Sequence, residues 1–225
     1  MADARRWATF DCYGTLIDWN AGLRSELARI FGETEADRLL ERYHAIEPVV
    51  QSDDPSLRYR EVMAAVLERL AAEEGVDIPP EERDALGRSL PSWPVFNEVP
   101  DALSEARERR WSLVILSNTD RDFIDASMER IRVPFELAIV ASEIGSYKPD
   151  PGHWDAFFER TGAAPSLHVH VAASLYHDIR PADALGMRSI WINRLAEVAD
   201  VAPARELPDL SRLPETLDEL VRRPG

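Results

Sequence analysis

Five short apolar runs, each well separated from the next, limit what this chain can fold into. Trp7–Cys12, Ser112–Ser117, Leu137–Ala141, His168–Ala173 and Ser189–Asn193 are too short for ordinary helices and too uniformly apolar for half-exposed strands. They read as strands buried on both faces of a parallel sheet. Segments with helical periodicity lie between the later runs: Asp101–Arg110, Arg121–Arg130, Pro151–Thr161 and about Asp178–Leu185. Alternating strand and helix with right-handed crossovers predicts an α/β fold, a doubly wound parallel sheet. Ligands of such sheets bind outside the carboxyl ends of the strands, so the chemistry is to be sought there.

One stretch breaks the alternation. From Ile17 to Glu98 no strand-like run occurs, and the sequence reads as helices separated by breakers. Asn20 is placed to cap a helix over Ala21–Phe31, Thr34 one starting at Glu35, and Ser56 a long piece through Glu74 with Met63, Val66, Leu67 and Leu70 on one face. Residues 17–98 are therefore expected to form an all-helical insert in a core built from residues 1–16 and 99–225. A last short helix is expected near Glu215–Arg222.

Composition excludes several partners. The 225 residues carry 26 basic and 41 acidic side chains, a net charge of −15, which repels nucleic acid and anionic membranes. No apolar run approaches the roughly 18 residues of a membrane span, and Met1–Arg6 has no signal-peptide character. The single cysteine, Cys12, excludes an intrachain disulfide and fits a reducing, cytoplasmic setting. Lys148 is the only lysine among those 26 basic residues, a hint that a compact ammonium is needed there.

Polar residues gather at the predicted strand ends. The first strand ends Asp11-Cys12-Tyr13-Gly14-Thr15-Leu16, the second Ser117-Asn118-Thr119-Asp120. The third is followed by Lys148-Pro149-Asp150-Pro151, and the fourth by Ala173-Ser174-Leu175-Tyr176-His177-Asp178. Taken singly, Asp11 reads as a turn cap and the second set as a helix N-cap. Four separate caps at four strand ends are a poorer account than one active site. The arrangement resembles the haloacid dehalogenase-like hydrolases, whose four motifs these strings match in order, and the insert resembles that superfamily's helical cap.

Phosphatases of that superfamily carry a second Asp two residues after the nucleophile and another before the serine of the fourth motif; here these positions are Tyr13 and Ala173. Without a metal, Asp11 attacking a phosphate dianion meets a repulsion of about 4 kcal/mol per unit pair at about 4 Å. A halide leaves as a stable anion and needs no proton. The first motif is similar to that of the metal-independent (S)-2-haloacid dehalogenases. That resemblance implies no metal, no cofactor, a short 2-substituted carboxylic acid as substrate, and dimers as the common state. It also implies roles: Asp11 as nucleophile, with Thr15, Lys148 and Asp178 completing the catalytic set. Ser117 and the backbone at Cys12 and Tyr13 would receive the substrate carboxylate, Arg42 and Asn118 the halide, and Trp154 would replace a pocket tyrosine. Ala173 and Leu175 stand where the family has Ser and Asn, which alters the water side of the site.

Four readings compete: dehalogenase, hydrolase of another carbon bond such as a small-ring amino acid, metal-dependent phosphatase, and non-catalytic binding module. His177 is a candidate base for the hydrolytic water or a pocket wall. His168 and His170 share a strand face, with no carboxylate or cysteine nearby in sequence to complete a metal site. Glu73-Glu74 and Glu81-Glu82 read as solvated helix ends.

Overall fold

The five apolar runs form strands β1 (Arg6–Phe10), β2 (Trp111–Ser117), β3 (Leu137–Val140), β4 (His168–Ala172) and β5 (Ser189–Ile192). The computed structural model describes residues 5–54 and 56–222; the extreme ends of the expected core ranges, and Pro55 of the insert, lie outside the described residues. Every residue of β1, β2, β4 and β5 is buried. A sixth strand, β6 (Arg205–Leu207), adds one edge; only Leu207 is buried, so no apolar run marks it in the sequence. The order is β3-β2-β1-β4-β5-β6, parallel throughout. From β1 the chain winds outward to β3, then returns to β4 on the other side. The carboxyl ends of β1, β2 and β4 therefore meet at the switch point where such sheets bind ligands.

Between β1 and the rest of the sheet stand α1 (Trp19–Phe31), α2 (Ala36–Asp53), α3 (Tyr59–Glu74) and α4 (Ala85–Ser89). Two expected caps are displaced. Asp18, not Asn20, accepts the Ala21 N–H at 3.0 Å, while Asn20 meets His44 at 3.0 Å. Ser56 turns to Asp54, and α3 begins at Tyr59, where Glu61 accepts the Arg58 N–H at 2.8 Å. In both cases a carboxylate one turn away supplies the stronger acceptor.

After the insert come α5 (Val99–Glu108), α6 (Arg121–Ile131), α7 (Ala141–Ile144), α8 (Gly152–Thr161), α9 (Arg180–Ala184) and α10 (Leu213–Leu220). The helix expected over 178–185 divides into a π-helical turn, Leu175–Ile179, followed by α9, and Asp178 sits on that turn. Among the described residues no helix is long and apolar enough to cross a membrane.

The two chain crossings into the insert lie side by side. Ile17 and Val95 form an antiparallel bridge, flanked by Asp18 N–H to Pro94 O at 2.8 Å and Phe96 N–H to Leu16 O at 3.1 Å. Arg194 clasps this ribbon, donating to Thr15 O at 2.9 Å and Glu98 at 2.6 Å with its guanidinium over the Phe96 ring. Gly22 is required for close approach, because a Cβ there would lie 2.2 Å from the Trp93 ring. At the start of α3, buried Asp120 accepts the Tyr59 N–H at 3.2 Å and the Arg60 side chain at 2.9 Å. Asp120→Ala leaves the Tyr59 N–H unpartnered and Arg60 with Asp122 alone, an expected cost of about 1–3 kcal/mol. Calorimetry should show Tm falling by roughly 2–4 °C for each of those kcal/mol; an unchanged Tm would contradict this anchoring.

Candidate active site

Asp11 extends the β1 ladder by one hydrogen bond, its N–H donating to Val171 O, so its carboxylate emerges at the carboxyl edge of the sheet. The chain then turns sharply. The N–H groups of Thr15, Leu16 and Ile17 converge on Cys12 O, and Gly14 adopts φ +88, a conformation that strains any residue with a Cβ. The Cys12 and Tyr13 N–H groups take no part in that turn. It also carries Thr15 back to Asp11: its hydroxyl donates to Asp11 Oδ2 at 2.8 Å and accepts the Ala173 N–H at 2.9 Å.

Lys148 enters from the loop before α8 and is 1% exposed. Its ammonium has three protons and uses each: to Asp11 Oδ1 at 2.9 Å, Asp178 Oδ1 at 2.7 Å and Leu116 O at 2.9 Å. Asn118 clamps the loop, accepting the Lys148 N–H at 2.7 Å and donating to Lys148 O at 2.9 Å. Its amide is thus spent on seating the lysine. Asp178 is fully buried; besides Lys148, its Oδ1 accepts His170 Nε2 at 3.0 Å, while its Oδ2 has no partner.

The charges divide unequally. Burial pushes Asp11 above the ordinary aspartate value, with Lys148 opposing and Asp178 adding to the rise. For Asp178 burial also acts upward, but Lys148 and His170 outweigh it and hold the carboxyl well below the usual range. Burial would lower Lys148, and the two carboxylates reverse that. Asp178 keeps its charge firmly, and Asp11 is the group nearer to titration.

The other expected residues are placed as follows. Ser117 is buried, and its carbonyl accepts His153 Nε2 at 3.0 Å. The Cys12 thiol is pushed up by burial and stays protonated. The Tyr13 hydroxyl meets Ser127 at 3.1 Å, and its ring stacks on Tyr59 of α3 with centroids 6.4 Å apart. His177 is lowered by burial and lies 3.2 Å from Ser174 Oγ.

Two expectations require correction. Arg42 does not join the buried cluster: exposed on α2, it forms a two-pronged pair with Glu73 at 2.8 and 2.6 Å, which captures the guanidinium at the surface. Glu73 and Glu74 are therefore not merely solvated, since Glu74 pairs with Arg38 in the same way. Trp154 is 1% exposed, packed with Val114, Leu116 and Phe157, and meets His170 edge-on at 5.3 Å, so its ring sits in the core beneath that histidine and not in an accessible pocket.

Two features escaped the sequence reading. One is the use of His168 and His170: both bond to Thr9 Oγ1 at 2.8 Å, and His170 continues to Asp178. The other is Glu47, buried on α2 without an ion pair among the described residues and pushed up to about 7 by burial beside Tyr59. Its position on the buried stripe of Leu39, Tyr43, Ile46 and Val50 was the available signal.

The residues do not fit the magnesium of the superfamily's phosphatases. The Lys148 ammonium is bonded to both carboxylates, Ala173 offers no side-chain oxygen, and no group of three or more His, Cys, Asp or Glu among the described residues is arranged to hold a metal ion.

The chain belongs to the haloacid dehalogenase-like hydrolases, whose family model matches residues 6–186. Among curated relatives, (S)-2-haloacid dehalogenase 1 of Pseudomonas sp. (strain CBS-3) is 29% identical over 231 residues, covering 98% of this chain and 100% of that protein. Phosphoserine phosphatase of Thermus thermophilus is also 29% identical, over 56% of this chain and 53% of that protein. The L-2-haloacid dehalogenase of Xanthobacter autotrophicus, solved with chloropropionic acid covalently bound, superposes with a TM-score of 0.80 at 17% identity, covering 95% of this chain and 98% of that one.

Activity that needs ionised Asp11 falls as pH drops through its raised pKa, so the acid limb of kcat/KM should lie above pH 3.8, the ordinary aspartate value. Thr15→Val removes a donor to the ionised form; the limb should move to higher pH and the rate fall about 10-fold or more. Arg42→Ala should leave turnover within about twofold, as for other surface positions.

Proposed function

We propose that this hydrolase is a metal-independent, 2-haloacid dehalogenase-like enzyme that displaces halide from a short 2-haloalkanoic acid. The observation that carries the reading is the state of Asp11. Its carboxylate stands at the edge of β1 with one oxygen held by Lys148 and the other by Thr15, and residue 13 is a tyrosine whose hydroxyl is turned to Ser127. Such a group is an oriented nucleophile without an adjacent general acid, which suits a leaving group that departs as a stable anion.

In this reading an Asp11 oxygen attacks C2 of the substrate as the carbon–halogen bond breaks, giving an aspartyl ester and halide. Water then attacks the Asp11 carboxyl carbon. Asp178 Oδ2, buried in the cluster without a partner, takes one water proton and returns it to the departing alkoxide. The 2-hydroxy acid leaves, the second water proton passes from Asp11 to solvent, and Asp11 is a carboxylate again. Ser117 and the N–H groups of Cys12 and Tyr13 would receive the substrate carboxylate. Residues 17–98 would act as the cap that keeps bulk water from the ester, over a core of 1–16 and 99–225.

The surface position of Arg42 favours a second reading, because it removes the cation expected to receive halide. Asp11 would then open another carbon bond, as in ring opening of a small cyclic amino acid.

The test is halide release from (S)-2-chloropropionate in EDTA, with intact-mass detection of the Asp11 adduct. The wild type should release halide, and Asp11→Asn should lose activity by about 10³-fold or more. No release, together with an Asp11-dependent adduct from azetidine-2-carboxylate, would shift the assignment to the second reading.

A further inference from the structure

The family resemblance places Ser and Asn ahead of the last motif's aspartate, and this chain has Ala173 and Leu175, which offer Asp178 no side-chain hydrogen bond. Asp178 is nevertheless fully bonded on one oxygen. Lys148 reaches Oδ1 at 2.7 Å from one loop, and His170 reaches the same oxygen at 3.0 Å from β4. Two donors from different elements fix the rotation of the carboxylate and leave Oδ2 buried without a hydrogen-bond partner, the oxygen available to a water that enters with the ester.

We propose that His170, seated by Thr9 and His168, is the positioning residue that turns Asp178 toward the ester-hydrolysis half-reaction, in place of the missing Ser and Asn. This rests on the dehalogenase-like reading above. An ionised Asp178 accepts from both neighbours, so the proton of His170 must be on Nε2. Its Nδ1 faces Thr9 Oγ1 at 2.8 Å, and the same hydroxyl faces His168 Nε2 at 2.8 Å. The single hydroxyl proton of Thr9 serves one imidazole, and the other donates to its oxygen.

Sheet geometry builds this array. Thr9 is paired in register with His170 across β1 and β4, and alternate positions place His168 on the same face. Trp154 closes the other side of His170, edge-on at 5.3 Å. All three polar residues are at most 1% exposed. Valine or isoleucine would meet the folding requirement of a central parallel strand, and buried polar groups carry a desolvation cost. The line ends at His168, whose Nδ1 has no partner and whose basicity burial lowers to about 3. The array thus runs from a neutral imidazole inward to Asp178, Lys148 and Asp11.

The experiment is a single-turnover reaction with (S)-2-chloropropionate, quenched and read by intact mass, on wild type, His170→Phe, His170→Gln and Thr9→Val. In His170→Phe, adduct formation should stay within about threefold while adduct decay slows about 10–100-fold. The ester should then accumulate, and kcat and KM should fall together. His170→Gln restores an N–H donor and should recover most of the decay rate. Thr9→Val loosens the array without removing the donor and should slow decay more mildly, which keeps the test open if His170→Phe does not fold. Equal slowing of both steps, or no rescue by glutamine, would overturn the proposal in favour of a packing role. A substrate-independent measurement separates this from failure of the dehalogenase reading. If wild type forms no Asp11 adduct, imidazole 15N shifts at pH 8 decide: a proton on His170 Nε2 that responds to Asp178→Asn supports the array, and a proton on Nδ1 alone overturns it.

Discussion

One buried ammonium sets the terms for the rest of the site. Removing a lysine charge from water costs several kcal/mol even after relaxation, and attraction to a partner offsets this only when the geometry is good and every proton is bonded. Lys148 meets that condition with two carboxylates and a strand carbonyl. A guanidinium would present a planar fork to acceptors that converge on a point. Two carboxylates around one cation leave an excess negative charge in the interior, so additional donors are needed, and Thr15 and His170 supply one to each carboxylate. Asn118 fixes the lysine from its backbone side. Much of the polar machinery at the sheet edge follows from stabilising that one charge arrangement.

The same turn that presents Asp11 starts the helical segment between β1 and the rest of the sheet. Thr15 bonds Asp11 through its side chain and Arg194 through its carbonyl, and Arg194 also holds Glu98 where the insert returns to the core. Tyr13, two residues from Asp11, stacks on Tyr59 at the first turn of α3. The turn that carries Asp11 and the helical segment therefore share contacts at both crossings and at α3.

Much of this was legible in the sequence, for identifiable reasons. Strands buried on both faces must be continuous apolar runs, so five of them were visible; β6 lies at the edge with one buried residue and left no run. Asp11, Thr15 and Asp178 stood out as polar residues in turns after strands, a local pattern, and Lys148 as the only lysine, at the position of the family's third motif; the structure brings the four together. Arg42 was misplaced because the partner that decides its direction, Glu73, lies on the next helix, and proximity between helices is not a property of sequence spacing. The two histidines of β4 show both sides of this. Their shared face followed from the alternation of a strand, but their partners Thr9 and Asp178 come from a neighbouring strand and a later turn.

The burial of Lys148 reaches beyond catalysis. Because every other basic side chain apart from histidine is arginine, the folded protein offers no ε-amine to solvent. Acylating reagents that target the lysine ε-amine meet no such group until the core opens. Acylation at position 148 would thus act as an internal clock for opening of the core around it, with no engineered label.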